Sequence, residues 1–77
     1  MTTYSKLRNL IVENFDYVEE GNTLTLEYNG YKANIENYRG QVIMTTYYDG
    51  ILDGIQPYFD AFEAYNEIFN LFYNEEI

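Results

Sequence analysis

The sequence contains neither cysteine nor histidine. The absence of cysteine excludes a disulfide framework, a thiolate nucleophile and a cysteine-ligated zinc, and it suits a reducing cytoplasm. The absence of histidine removes the commonest general base and the commonest metal ligand. The only serine, Ser5, lies on a predicted helix with no base in view. We therefore expect a protein that is not an enzyme and that needs no metal and no cofactor.

Long apolar runs are also missing from the chain. No stretch approaches the roughly 20 residues that a membrane-spanning helix needs. The N-terminal segment, MTTYSKLRNLIVENF, lacks the apolar core and the cleavage site of a signal peptide. These features predict a soluble, cytoplasmic protein without a membrane partner.

Positive charge is scarce. The 77 residues include 13 acidic side chains but only 4 Lys and Arg, which gives a formal net charge of -9. The isoelectric point lies near 4.1. Because the phosphate backbone of a nucleic acid attracts cations and repels anions, this balance argues against direct binding of nucleic acid.

The charge imbalance is concentrated in the last 29 residues, 49–77, which contain no Lys or Arg. The first 48 residues hold six acids and all four bases, so that -7 of the net -9 belongs to the C-terminal part. A block of one sign repels itself, and a positively charged partner would offset that cost. The seven C-terminal acids are Asp49, Asp53, Asp60, Glu63, Glu67, Glu75 and Glu76.

The N-terminal segment has the apolar spacing of a helix. Tyr4, Leu7, Leu10 and Ile11 recur at intervals of three and four. We predict an amphipathic helix over roughly residues 3–14, with Thr2, Thr3 or Ser5 as its N-cap.

Residues 22–36 change to the alternation of a strand pair. Asn29-Gly30 separates two alternating runs, which is a strong hairpin signal because both turn positions need a positive φ. A two-residue loop places Glu27 opposite Lys32 on one face of the hairpin. The other face then carries Leu24, Leu26, Tyr28, Tyr31, Ala33 and Ile35.

Arg39-Gly40 predicts a second turn, into a strand over residues 41–48. A loop with an even number of residues puts Val42, Met44, Thr46 and Tyr48 on the Ile35 face, whereas an odd loop puts Ile43, Thr45 and Tyr47 there. The sequence leaves this parity open. It also leaves open whether residues 15–20 add a short edge strand.

The segment 47–57, YYDGILDGIQP, is loop-like, and Pro57 is well placed as the first residue of a C-terminal helix that continues to about residue 74. At about 100° per residue, one side of this helix is aromatic and the opposite side is acidic. We expect the aromatic side to cover the sheet. It comprises Tyr58, Phe62, Tyr65, Phe69 and Phe72, and the acidic side comprises Asp60, Glu63 and Glu67 with Asn70 and Asn74.

The predicted fold is α+β in a single domain over residues 1–77. It consists of an N-terminal helix, a three-stranded antiparallel meander and a C-terminal amphipathic helix packed on the sheet, in the order α-β-β-β-α.

The acidic side of the C-terminal helix has two interpretations, a solvated face or a binding surface. A solvated face normally mixes Lys with Glu, and this part of the chain contains no Lys. The acids also continue to the helix C-terminus, where the helix dipole disfavours anions. Exposed aromatic residues beside carboxylates are typical of binding surfaces. We predict that the partner-binding residues are Asp49, Asp53, Asp60, Glu63, Glu67, Glu75, Glu76, Phe59, Tyr47 and Tyr73.

The order of elements and the carboxylates on loops and a C-terminal helix resemble the small, acidic, phage-encoded inhibitors of nucleic-acid machinery, namely anti-CRISPR proteins and DNA mimics. The order is similar to that of a type II-A anti-CRISPR that blocks the CRISPR effector nuclease. The resemblance implies that the target is a basic host protein, whose nucleic-acid channel is lined by Arg and Lys. It also implies which acids occupy that channel: Asp49, Asp53, Asp60, Glu63 and Glu67.

The leading hypothesis is therefore a non-enzymatic acidic inhibitor, phage-encoded and active in the host cytoplasm, that occupies the cationic nucleic-acid-binding site of a host nuclease or CRISPR effector. One alternative is an immunity protein or antitoxin that neutralises a basic toxin. The other is a structural or assembly subunit whose aromatic helix completes an oligomer. The sequence leaves the oligomeric state open.

Overall fold

The computed structural model describes residues 1–73. It contains two helices and five strands in this part of the chain, with the strands in one antiparallel sheet of order β1-β2-β3-β4-β5. The α+β class is confirmed, whereas the predicted number of three strands is wrong. The elements are α1 (Thr3–Asn14), β1 (Val18–Glu20), β2 (Thr23–Tyr28), β3 (Tyr31–Tyr38), β4 (Gln41–Tyr48), β5 (Ile51–Tyr58) and α2 (Ala61–Tyr73).

The first hairpin has the predicted register. Tyr28 pairs with Tyr31 and Glu27 pairs with Lys32 across the Asn29-Gly30 turn, whose φ angles are 58° and 87°. Both turn residues are in the left-handed region that a two-residue hairpin loop requires.

The second hairpin has an even loop, which settles the parity. Tyr38 pairs with Gln41 and Ile35 pairs with Met44, so that Met44 lies on the buried face of the sheet. The Arg39-Gly40 turn has φ angles of 55° and 86°, close to those of the first turn.

The segment after Tyr48 is a strand and not a loop. Asp49-Gly50 forms a third two-residue turn, and β5 returns along β4. Pro57 lies inside β5 opposite Ile43, so that α2 begins four residues after the predicted start. A proline is tolerated in an edge strand because its nitrogen can face the open edge, where no ladder hydrogen bond is lost.

The β4–β5 ladder contains a β-bulge at Asp53. Tyr47 pairs with Leu52 and Thr46 pairs with Gly54, which leaves Asp53 as the extra residue of β5. A bulge bends its strand and redirects the extra side chain.

The possible edge strand over residues 15–20 is confirmed in its second half. β1 covers Val18–Glu20 and pairs with β2. At the opposite edge, no strand within residues 1–73 pairs with the outer side of β5.

Both helices cover the same face of the sheet. They bury Leu24 and Leu26 of β2, Ala33 and Ile35 of β3, and Val42 and Met44 of β4. We call the other face of the sheet the open face; it carries Thr25, Asn34, Thr45 and Ile55 in one cross-strand row. The buried residues of the helices are Tyr4, Leu7 and Ile11 in α1, and Ala61, Ala64, Ile68 and Phe72 in α2.

The prediction that an aromatic stripe covers the sheet is confirmed for Tyr58, Tyr65 and Phe72, which pack in or against the core, and wrong for Phe62 and Phe69. Phe62 and Phe69 are 66% and 48% exposed, and of the predicted stripe only Phe72 is fully buried. The buried line also runs through Ala61, Ala64 and Ile68. The small side chains of Ala61 and Ala64 let the helix approach the core closely.

Helix α1 is anchored at the end of the sheet where α2 begins. The Thr2 hydroxyl accepts a hydrogen bond of 3.1 Å from the Ser5 amide, which confirms Thr2 as the N-cap. The Tyr4 amide donates to the Gly40 carbonyl (3.0 Å), and the Thr3 hydroxyl donates to the Phe59 carbonyl (3.2 Å). Neither helix in the described residues is long and apolar enough to cross a membrane.

The Gly40 contact generates a stability prediction. A Cβ at Gly40 would lie 2.9 Å from Cγ2 of Thr2, whereas a Cβ at Gly50 would meet no atom within 4 Å, and the two φ angles are nearly equal at 86° and 84°. Gly50→Ala therefore incurs only backbone strain, and we expect it to lower the free energy of unfolding by about 1 kcal/mol. Gly40→Ala also displaces the α1 N-cap, and we expect it to lower the free energy of unfolding by about 2 kcal/mol or more. Urea unfolding measures both, and equal losses would contradict the role of the Thr2 contact.

The start of α2 generates a second prediction. The Asp60 carboxylate accepts a hydrogen bond of 2.8 Å from the Phe62 amide, and its carbonyl accepts one of 3.1 Å from the Ala64 amide, so that Asp60 is the N-cap. We expect Asp60→Ala to lower the free energy of unfolding by about 1 kcal/mol, because an amide at the helix start loses its acceptor. Asp60→Asn keeps an acceptor in place, and thermal unfolding should show a smaller loss. Equal losses would mean that charge, and not capping, is the larger contribution.

Candidate partner-binding surface

Helix α2 presents two unlike sides to solvent. Since a helix turns about 100° per residue, Phe62, Phe69 and Tyr73 lie on one flank of its buried line, while Glu63 and Glu67 lie on the other. All five side chains are exposed. We call these flanks the aromatic side and the acidic side of α2.

The acidic side faces β5. Glu67 and Asp53 line the same cavity of about 200 Å³ between α2 and strands β4 and β5, together with Met44, Thr46, Gly54, Ile55, Gln56 and Tyr58. We call this cavity the α2–β5 groove. Gly54 lacks a side chain and faces the small side chain of Thr46, which leaves the floor of the groove low.

The acids affect the pKa of a tyrosine that lines the groove. Partial burial raises the pKa of the Tyr58 hydroxyl above its ordinary value, and the charges of Glu67 and then Glu63 raise it further. Negative charge disfavours the phenolate in this way. The three carboxylates Asp53, Glu63 and Glu67 are therefore grouped around one edge of the molecule.

Three of the four cations are held elsewhere. Arg8 forms the one ion pair within residues 1–73, with Glu19 at 2.8 Å, and this contact lowers the pKa of the Glu19 carboxyl. Lys32 lies over the Tyr47 ring on the open face, 5.7 Å from its centroid. Arg39 lies over the Tyr38 ring at the β3–β4 turn, at 5.5 Å. Among the described ion pairs, none involves an acid of β5 or α2.

Three of the predicted site residues lie in the connections at the two ends of β5, and none of them lines the groove. Asp49 is in the β4–β5 turn with a φ of 55°. Phe59 follows β5 and is 69% exposed, and its neighbour Asp60 caps α2. The Asp60 carboxylate thus already has a structural role. Glu75 and Glu76 lie outside the described residues.

The two predicted tyrosines do not share this surface. Tyr47 is on the open face, between Lys32 and Leu52 in the cross-strand row. Tyr73 belongs to the aromatic side of α2, where its ring stacks on Phe15 with 5.7 Å between centroids. The eight predicted residues within the described part of the chain therefore do not form one continuous surface.

Sequence reasoning missed the apolar residues of β5. Leu52 and Ile55 are 55% and 61% exposed on the open face, beside the unpaired edge of the sheet. The signal that identifies this strand is present in the sequence. The dipeptide Asp49-Gly50 repeats the hairpin turn. It follows Arg39-Gly40 at the same distance in the sequence at which Arg39-Gly40 follows Asn29-Gly30.

Comparisons of the chain with protein-family models, with curated proteins and with solved structures find no match.

Proposed function

We propose that the protein is a non-enzymatic inhibitor that binds, through its acidic edge, the positively charged nucleic-acid-binding site of another protein. The class of target is a host nuclease or a CRISPR effector. The observation that carries this proposal is the grouping of Asp53, Glu63 and Glu67 on one edge, with no described ion pair to neutralise them.

The spacing of the acids supports mimicry of a nucleic acid. Glu63 and Glu67 are one helical turn apart, about 6 Å along the axis. Two phosphate steps along one DNA strand cover about 7 Å. A channel lined by Arg and Lys at phosphate spacing can therefore contact both carboxylates at once.

The binding mechanism has an electrostatic and an apolar part. The one-signed field of residues 49–73 attracts a cationic site over a distance and accelerates encounter, an effect that salt screens. Affinity then requires that water is excluded around the charges, and apolar side chains at the centre of an interface do this. Exposed apolar residues in or beside β5 include Leu52, Ile55 and Phe59.

The aromatic side of α2 favours a second candidate function, that of an assembly subunit. Phe62, Phe69 and Tyr73 are large, apolar and exposed along one helix flank, which is the composition of an oligomer interface. Light scattering separates the two functions. An oligomer of the isolated protein that persists at all salt concentrations supports the assembly function.

Charge reversal tests the inhibitor function. We expect wild-type protein to displace a fluorescent DNA duplex from at least one member of a panel of purified host nucleases that includes a guide-loaded CRISPR effector. Glu63→Lys with Glu67→Lys should weaken this displacement about tenfold or more, because two attractions become repulsions. The measurement is a competition titration at several salt concentrations.

The matched control is Glu20→Lys with Glu36→Lys. These residues lie on β1 and β3, with at least strand β4 between them and β5, and their reversal changes the net charge by the same amount. This variant should keep most of the wild-type displacement. If both variants displace DNA equally well, or if no nuclease in the panel releases DNA, the proposal is wrong.

A further inference from the structure

We infer that β5 is a strand-addition site, at which an extended segment of a basic partner protein pairs with the open edge of the sheet. The side chains of that segment alternate in character. Its basic residues enter the α2–β5 groove, and its apolar residues lie on the open face. This inference rests on the proposed function, because it assumes a cationic partner.

The two edge strands of the sheet, β1 and β5, differ in length and in charge. β1 has three residues, Val18–Glu20, and two of them are charged, with Glu19 engaged by Arg8. Short and charged strands protect an edge against further pairing. β5 has eight residues, and Asp53 is the only charged one. Pro57 and the bulge at Asp53 also limit pairing at β5, so the pairable part of this longer edge is the short stretch around Ile55, beside the acidic groove.

The backbone direction at Ile55 follows from Pro57. A proline within a paired strand is tolerated where its nitrogen points away from the ladder, and backbone direction repeats every second residue. The N–H and C=O groups of Ile55 therefore point to the open edge. The bulge at Asp53 interrupts the regular ladder, which limits pairing to the stretch from Gly54 to Tyr58.

The two flanks of β5 specify the side chains of the added segment. On one flank, Asp53 and Glu67 line the α2–β5 groove. On the other flank, Leu52 and Ile55 lie on the open face, where they pair with Tyr47 and Thr45. Successive side chains of a strand point to opposite faces, so a segment that alternates basic and apolar residues satisfies both flanks, and a shift by one residue satisfies neither.

A second copy of this chain does not fit the same edge. Residues 49–77 contain no Lys or Arg, and the whole chain carries a net charge of -9. Pairing of two β5 edges would bring Asp53 and Glu67 of one copy toward the same acids of the other. Like charges in close apposition are destabilising, and the basic partner segment is the occupant that the charges favour.

The direct test uses a capped peptide of alternating lysine and valine as the probe. Its control is an isomer of the same composition with all lysines in one block. We expect the alternating peptide to bind about tenfold or more tightly than the isomer, as measured by NMR titration of the labelled protein. Amide exchange at Ile55 should slow when the alternating peptide is added, while amides of β1 should not change. Equal binding of both peptides, or protection at β1 in place of Ile55, would overturn the inference.

Ile55→Pro and Ile55→Ala separate the backbone from the side chain. Both variants replace the isoleucine side chain, but only proline removes the outward N–H of residue 55. The preceding Gly54 tolerates the backbone that proline imposes. We expect Ile55→Pro to weaken peptide binding about tenfold or more relative to Ile55→Ala. Circular dichroism checks that both variants fold, and if the proline variant does not, the exchange measurement on wild-type protein decides. Equal affinities of the two folded variants would exclude strand addition.

Failure of this inference and failure of the proposed function give different results. If Ile55→Pro displaces DNA from a nuclease as well as wild type while Glu63→Lys with Glu67→Lys does not, strand addition is wrong and the inhibitor function stands. If the alternating peptide binds at Ile55 while no nuclease releases DNA, the inhibitor function is wrong and β5 remains a strand-addition site.

Discussion

Three turns of two residues, each with positive φ at both positions, set the register of the sheet from β2 to β5. Because side chains alternate along a strand, a slip of one residue at any turn would exchange the two faces beyond it. With the observed turns, Leu24, Ile35 and Met44 all fall on the face that the helices cover. The turn at Gly40 also fixes α1, since its carbonyl accepts the Tyr4 amide and its missing side chain leaves room for Thr2. Register, helix position and core thus depend on the same backbone constraint.

The position of α2 on this sheet decides where its charges lie. Two helices share one face, and α2 buries the line of Ala61, Ala64, Ile68 and Phe72. This line turns Glu67 toward β5 and Phe69 away from the core. If the aromatic residues had been buried as predicted, Phe69 would have covered the sheet. The low floor at Gly54 then leaves the α2–β5 groove open between acidic side chains and the sheet edge.

Local signals predict the first part of this fold well. The spacing of Tyr4, Leu7 and Ile11 defines α1, and Asn29-Gly30 defines the first hairpin with its register. The sequence fails from Asp49 onward, where Pro57 and Gly54 indicate a loop although the open edge of a sheet accommodates both. The buried face of α2 was predicted only in part, because aromatic rings and small residues both have helical spacing there and only tertiary packing selects between them. The charge asymmetry was visible in the sequence, but the grouping of Asp53 with Glu67 requires the bulge.

The fold itself uses some of the C-terminal acids and not others. Asp60 caps α2, and Glu63 lies in the first turn of the helix, where the positive end of the helix dipole stabilises an anion. These two residues thus have a structural role in addition to any role in binding. That structural role does not extend to Glu67, which lies beyond the first turn, or to Asp53, which the bulge adds to an exposed strand. Neither forms an ion pair within the described residues, and each raises the negative potential beside the other. The two acids that the fold does not need are the two that line the α2–β5 groove, and this coincidence favours a cationic ligand over a solvated face.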